Sequence, residues 1–74
     1  MNLAYELEYL GFTPNEVKVY LTLLRLGMAK AGKIAQECRL ERTSTYHALQ
    51  RLVQVGIVST ILESSRKIFA AAPA

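Results

Sequence analysis

The stretch "IAQECRLERTSTYHALQRL", Ile34 to Leu52, limits the possible folds of this chain more than any other. It reads as two short helices joined by a turn of about three residues. The first, Ala31 to about Cys38, places Ile34 and Ala35 inward. The second runs from Arg42 to about Val55, with Leu49 at the centre of its buried side and Thr45, Leu52 and Val53 beside it. Leu40 helps to hold the pair together. Gly56 is expected to end the second helix in a left-handed conformation. "IVSTIL" (Ile57 to Leu62) and "KIFAA" (Lys67 to Ala71) then read as strands. The intervening "ESSR", Glu63 to Arg66, contains neither glycine nor asparagine, so no two-residue hairpin turn is expected there.

Two helical segments precede this unit. Leu3, Leu7 and Leu10 in Asn2–Leu10 recur at the spacing of one helical face, and Gly11 follows as a stop. "TPNE", Thr13 to Glu16, is a capping box with proline at the first helical position. That helix is expected to reach Leu26 and to end at Gly27. Val17, Leu21 and Leu24 share one of its faces, and Val19, Leu23 and Leu26 lie nearly opposite. A helix apolar on both sides is covered on both sides. Either the N-terminal helix covers the second stripe, or that stripe is a subunit or domain interface with Leu3, Leu7 and Leu10.

The order is four helices followed by a two-stranded wing, mainly α with a small β-hairpin. It is the order of a winged helix-turn-helix. One such domain is expected over residues 1–74, with the N-terminal helix in 1–12, the three-helix core in 13–56 and the wing in 57–72. The tail from Ala70 to Ala74 reads as a strand running out into a linker.

Composition narrows the function classes. With 51% hydrophobic and 20% charged residues, the chain is globular in type. No apolar run approaches the roughly 20 residues needed to span a bilayer. The N-terminus carries two glutamates and no basic residue, unlike a secretory signal, so a cytoplasmic location is expected. One cysteine allows no internal disulfide, and one cysteine with one histidine cannot complete a structural zinc site. Cys38 reads as a small buried residue. Glu6 and Glu8 point to different sides of a helix, there is no glycine-rich phosphate loop, and no pocket is expected in 74 residues. No catalytic set, metal or cofactor is therefore expected. The net charge of +3 is compatible with nucleic acid.

The outer face of the second helix of the pair carries Thr43, Ser44, His47, Gln50, Arg51 and Gln54, with Tyr46 at its border and no carboxylate. These groups suit base edges and phosphates in a major groove. Residues near the helix start reach furthest toward the bases, which favours Thr43, Ser44 and His47 as base contacts; Arg42 is placed with them, and can reach either a base or a neighbouring phosphate. Lys30, Lys33, Arg39, Tyr46, Gln50, Arg51, Arg66 and Lys67 are expected to meet the DNA backbone, and the first N–H groups of this helix can hold a phosphate. Each residue also has a plainer use. Thr43 and Ser44 suit a helix start, His47 suits solvent, Arg51 can pair with Glu37, and Arg66 and Lys67 can protect a sheet edge.

Beyond these patterns, "LGFTPNEVKVYLTLLRLG", Leu10 to Gly27, resembles the opening of TrmB-type transcriptional regulators. The matching positions are Gly11, Thr13, Glu16, Lys18, Val19, Tyr20, Leu23, Leu24 and Gly27. The second block resembles that family's helix-turn-helix at Ile34, Ala35, Arg42, Thr43, Tyr46, Leu49, Leu52, Gly56 and Val58, and "KIFAAAPA" is similar to the end of its wing. The chain departs from the family at Arg39, where glycine is usual, at Thr45, where valine or isoleucine is usual, and in a wing without glycine. If the turn keeps the family's shape, Arg39 must take a positive φ.

The resemblance implies sequence-specific binding to double-stranded promoter DNA, usually as a homodimer. The expected dimer or domain interface comprises Leu3, Leu7, Leu10, Val19, Leu23 and Leu26. Chains of that family typically continue into a C-terminal portion that binds sugars or other effectors, or that dimerises, so this sequence is expected to be either a fragment or a minimal one-domain member, with an effector only through such a portion. The competing reading is a winged-helix module for protein–protein contact. The polar, basic outer face favours DNA over that alternative.

Overall fold

A computed structural model describes residues 3–71. Its elements run α1 (Leu3–Tyr9), α2 (Pro14–Leu26), β1 (Met28–Ala29), α3 (Ala31–Cys38), α4 (Arg42–Gln54), β2 (Val58–Glu63) and β3 (Arg66–Ala71). Asn2, expected in the first helix, and the tail 72–74 lie outside the described residues, and Leu10 falls in the turn after α1.

The capping box at α2 forms in full. Thr13 Oγ1 accepts from the Glu16 N–H at 3.1 Å, and Glu16 Oε1 accepts from the Thr13 N–H at 2.9 Å. Gly27 closes the helix at φ 85°. α3 ends on Arg39, whose φ of 58° and ψ of 39° are left-handed. The Arg39 N–H donates to the carbonyls of Ala35 and Gln36, and the Leu40 N–H donates to Ala35 O at 3.1 Å. The arginine thus takes the shape that a glycine takes most easily. Gly56 follows α4 at φ 90°.

The core collects one stripe from each element: Val19 and Leu23 of α2, Ala31, Ile34 and Cys38 of α3, Ala48, Leu49 and Leu52 of α4, and Val58 and Phe69 of the wing. Three interface expectations change here, at Leu7, Val19 and Leu23. Val19 and Leu23 are 0% exposed, so they present nothing to a partner, and α1 does not cover their stripe alone. The physical reason is the site's own geometry: α3, α4 and β3 all pack on α2. On the opposite stripe Val17 is buried and Leu24 exposed. Packing of α1 on α2 buries Leu7 and leaves Leu3, Tyr5, Tyr9 and Leu10 exposed. Cys38 is buried, its thiol 3.2 Å from Thr22 Oγ1.

The sheet has three strands in the order β1-β3-β2, all neighbours antiparallel. β1 was not expected. Its two residues pair with the far edge of the wing, Met28 with Ala70 and Ala29 with Phe69, which ties the start of α3 to the hairpin. The hairpin turn also departs from expectation. Glu63 pairs with Arg66, leaving a two-residue turn of Ser64 (φ 49°) and Ser65 (φ 64°). Two positive φ values match the twist of the strands, and here serine adopts them without glycine or asparagine.

Candidate nucleic-acid interface

α4 lies with one side in the core and three hollows around its remaining surface. Successive residues step about 100° around the axis, so the helix presents different chemistry to each hollow. Thr43, His47, Gln50 and Gln54 are exposed along it. Ala48, absent from the expected buried side, is 4% exposed and packs inward. Thr45 is fully buried, and its hydroxyl donates to Glu41 O at 3.0 Å, so the buried polar group is satisfied within the helix.

The largest hollow is an open cleft of about 700 Å³ between the starts of α3 and α4 and the wing, where no pocket was expected. Lys30, Lys33, Arg42 and Lys67 line it with Tyr46, Met28 and Ile68, and no carboxylate does. β1 brings this about, because it holds the start of α3 against β3. Among the described residues Lys30, Arg42 and Lys67 have no carboxylate within ion-pair distance, while Lys33 leans on Glu37 at 3.4 Å. Neither α3 nor α4 has a side-chain cap: their N-cap residues, Lys30 and Glu41, make no capping hydrogen bond. Their first N–H groups therefore stay open to an incoming acceptor.

A second hollow, of about 540 Å³, lies between α4 and the wing and is lined by Tyr46, Gln50, Val53, Gln54, Thr60, Lys67 and Phe69. Tyr46 divides it from the cleft. Its ring meets Phe69 edge to face, with centroids 6.4 Å apart, and fixes the wing to α4. The third hollow, of about 170 Å³, joins Ser44 and His47 to Thr13, Asn15 and Glu16 at the start of α2. That neighbourhood was not foreseen from the sequence, since it depends on how α2 crosses α4.

Arg51 does not pair with Glu37. Its guanidinium stands 4.0 Å from Glu16 Oε2 and 5.8 Å from the centre of the Phe12 ring. Glu37 is taken instead by Arg25 at 2.8 Å and by Lys33, and these hydrogen bonds hold its carboxyl below the ordinary range. Arg39 and Arg66 are not brought to the cleft: Arg39 closes α3 at the end away from Lys30, and Arg66 sits at the wing tip opposite Glu63. Among the described residues no group of three or more His, Cys, Asp or Glu can hold a metal ion, and no helix is long and apolar enough to cross a membrane.

A family model described as "Sugar-specific transcriptional regulator TrmB" matches residues 7–74. The chain belongs to the TrmB family. This TrmB-family chain is 36% identical over 56 residues to the HTH-type sugar sensing transcriptional regulator TrmBL1 of Pyrococcus furiosus. The match covers 76% of this chain and 16% of that relative, so the chain spans a small part of its length. Among solved structures, the fold is similar to a MarR family transcriptional regulator from Silicibacter pomeroyi, with TM-score 0.80 and 15% identity over 95% of this chain and 48% of that one. YusO protein from Bacillus subtilis gives 0.79 and 19%, over 89% and 49% of the two chains. ST1889 protein from Sulfolobus tokodaii gives 0.73 and 18%, over 81% and 61%. The TrmB-family chain thus has the winged helix-turn-helix expected from its sequence, with an extra strand.

Proposed function

We propose that this chain is the DNA-binding domain of a transcriptional regulator and binds double-stranded DNA sequence-specifically with α4 in the major groove. The observation that carries this reading is the pairing of α4's exposed, carboxylate-free row with the cation-lined cleft beside it, where Lys30, Arg42 and Lys67 have no carboxylate partner among the described residues. Thr43, Ser44 and His47 read base edges, and Lys30, Lys33 and Lys67 meet phosphates. Gln50 lies between the two, at the wing-side hollow. Arg51, held near Glu16, meets the backbone on the other flank. Family membership and the fold support the reading.

The protein works in the cytoplasm as a homodimer. Its partner surface is the exposed face of α1 and the turn after it, Leu3, Tyr5, Tyr9 and Leu10, in place of the buried Leu7, Val19 and Leu23. A two-fold dimer then binds half-sites about 34 Å apart. The sugar sensing named for TrmBL1 belongs, in this reading, to the part of a longer protein that this chain does not span.

Fluorescence anisotropy with random duplex DNA at two salt concentrations tests the proposal. Binding that weakens steeply with salt is expected. No binding at low salt, or binding indifferent to salt, refutes it. Ser44→Ala and His47→Ala should shift preference at particular base pairs, whereas Lys67→Ala should weaken all sequences alike.

A further inference from the structure

Gly32 is the second residue of α3, and its backbone has no positive φ. Nothing in the turn geometry requires glycine there, and glycine disfavours a helix relative to alanine. What the missing side chain does is make room. A Cβ at position 32 would stand 2.9 Å from Arg42 Nη2, 3.8 Å from its Cζ and 4.0 Å from its Nε. The guanidinium of Arg42, the first residue of α4, is therefore folded across the first turn of α3. It lies in the cleft with Lys30, Lys33 and Lys67 and has no carboxylate partner among the described residues.

We propose that Gly32 is a positioning residue that seats the Arg42 guanidinium in the cleft, where Arg42, Lys30 and Lys67 together grip a DNA phosphate. The inference rests on the DNA-binding reading above and assigns a backbone subsite within it. Arg42 moves by it from the base-reading set to the phosphate set. Arg42 and Ser44 are about 200° apart around α4. Accordingly, Arg42 faces α3 and the wing, while Ser44 and His47 face the start of α2. A guanidinium seated in advance presents its fork of donors in the geometry that a phosphate accepts.

The test uses Gly32→Ala, Arg42→Ala and the double variant, each measured for thermal unfolding and for binding to a panel of duplexes across several salt concentrations. Gly32→Ala should fold, with a Tm at or above that of the parent, because only the movable end of Arg42 stands in the way of the new methyl group. Its affinity should fall about tenfold, the scale of one charge-assisted contact. The loss should be equal for all duplexes, and the salt slope should become shallower by about one. Arg42→Ala should do the same, and the double variant should bind no more weakly than Arg42→Ala. Parental affinity in Gly32→Ala, a changed base preference, or a Gly32→Ala loss that persists without Arg42 each overturns the inference and leaves the DNA-binding reading standing. Failure of Gly32→Ala to fold overturns it as well. Failure of the parent chain to bind any duplex at low salt overturns both.

Discussion

Arg39→Gly should stabilise the protein, and the structure sets the size of the effect. Arg39 has φ 58° and ψ 39°, a conformation that costs an L-residue roughly 1–2 kcal/mol. Its side chain is exposed and has no carboxylate within ion-pair distance among the described residues, so little is lost with it. The hydrogen bonds that close α3 use backbone atoms and survive the change. Against the relieved strain stands the greater freedom of an unfolded glycine, about 0.5–1 kcal/mol. The net gain is therefore about 0.5–1 kcal/mol, a rise in Tm of about 2–8 °C for a chain of this size. Circular dichroism during heating, with urea titration to confirm an unchanged m-value, measures it. The same variant separates structure from binding. α3 is about 12 Å long, and Arg39 ends it on the side away from Lys30. The salt dependence of DNA binding should then be unchanged. A fall in Tm refutes the strain argument, and a shallower salt slope shows instead that Arg39 touches a phosphate.

Three further outcomes are expected. Thr13→Ala removes the cap of α2 and should cost about 1 kcal/mol, read as a Tm lower by about 4–8 °C; an unchanged Tm would show that the box contributes nothing. Replacing Ser64–Ser65 by Asn-Gly should raise Tm, because both positions hold positive φ and Asn-Gly adopts it with least strain; melting at or below the parent's temperature would contradict the turn assignment. Glu37 is held below its ordinary value by hydrogen bonds from Arg25 and Lys33. A depressed carboxyl contributes stability above its unfolded pKa and loses it as pH falls through the folded one. Glu37→Gln should flatten that acid-side part of the Tm–pH curve, and parallel curves for the two proteins would exclude the effect.

What the sequence disclosed, and what it withheld, divides by the range of the interactions. The capping box at Thr13–Glu16 and the glycine stops are set by neighbours a few residues apart and were legible, whereas a left-handed Arg39 was expected only if the turn kept the shape implied by the family resemblance. β1 was not, because two residues carry no periodicity and become a strand only by pairing with Phe69 and Ala70 about forty positions away. Val19 and Leu23 showed an apolar stripe without showing what covers it. Ser64 and Ser65 lacked the usual turn residues, and pairing of the strands imposed the turn on them. For the site, the composition of α4's outer face was readable, whereas the partners on its flanks were not. That Arg42 folds over Gly32, that Arg51 stands by Glu16, and that Ser44 and His47 face Asn15 all follow from helix crossings.

Those crossings give α4 two unlike flanks. On the α2 side the helix start is fully capped, and the Glu16 carboxylate already accepts from the Thr13 N–H and stands beside Arg51. A phosphate there would meet a negative charge and N–H groups partly engaged by the box. A base edge would suit it better, since it offers donors as well as acceptors. On the α3 and wing side the helix starts lack side-chain caps, Gly32 is bare, and Lys30, Arg42 and Lys67 have no carboxylate partner among the described residues. An acceptor-only group with negative charge fits that side and not the helix start on the other, where only Arg51, further along α4, is placed to meet the backbone. The asymmetry supports a fixed orientation of α4 in the groove, with the DNA backbone along the Lys30–Arg42–Lys67 side and the bases toward Ser44 and His47. Reversing the charge of Lys67 should then cost far more affinity than reversing that of Lys18, an exposed α2 lysine outside all three hollows. Equal losses in binding titrations would mean that only net charge matters, and that the two flanks do not orient the helix.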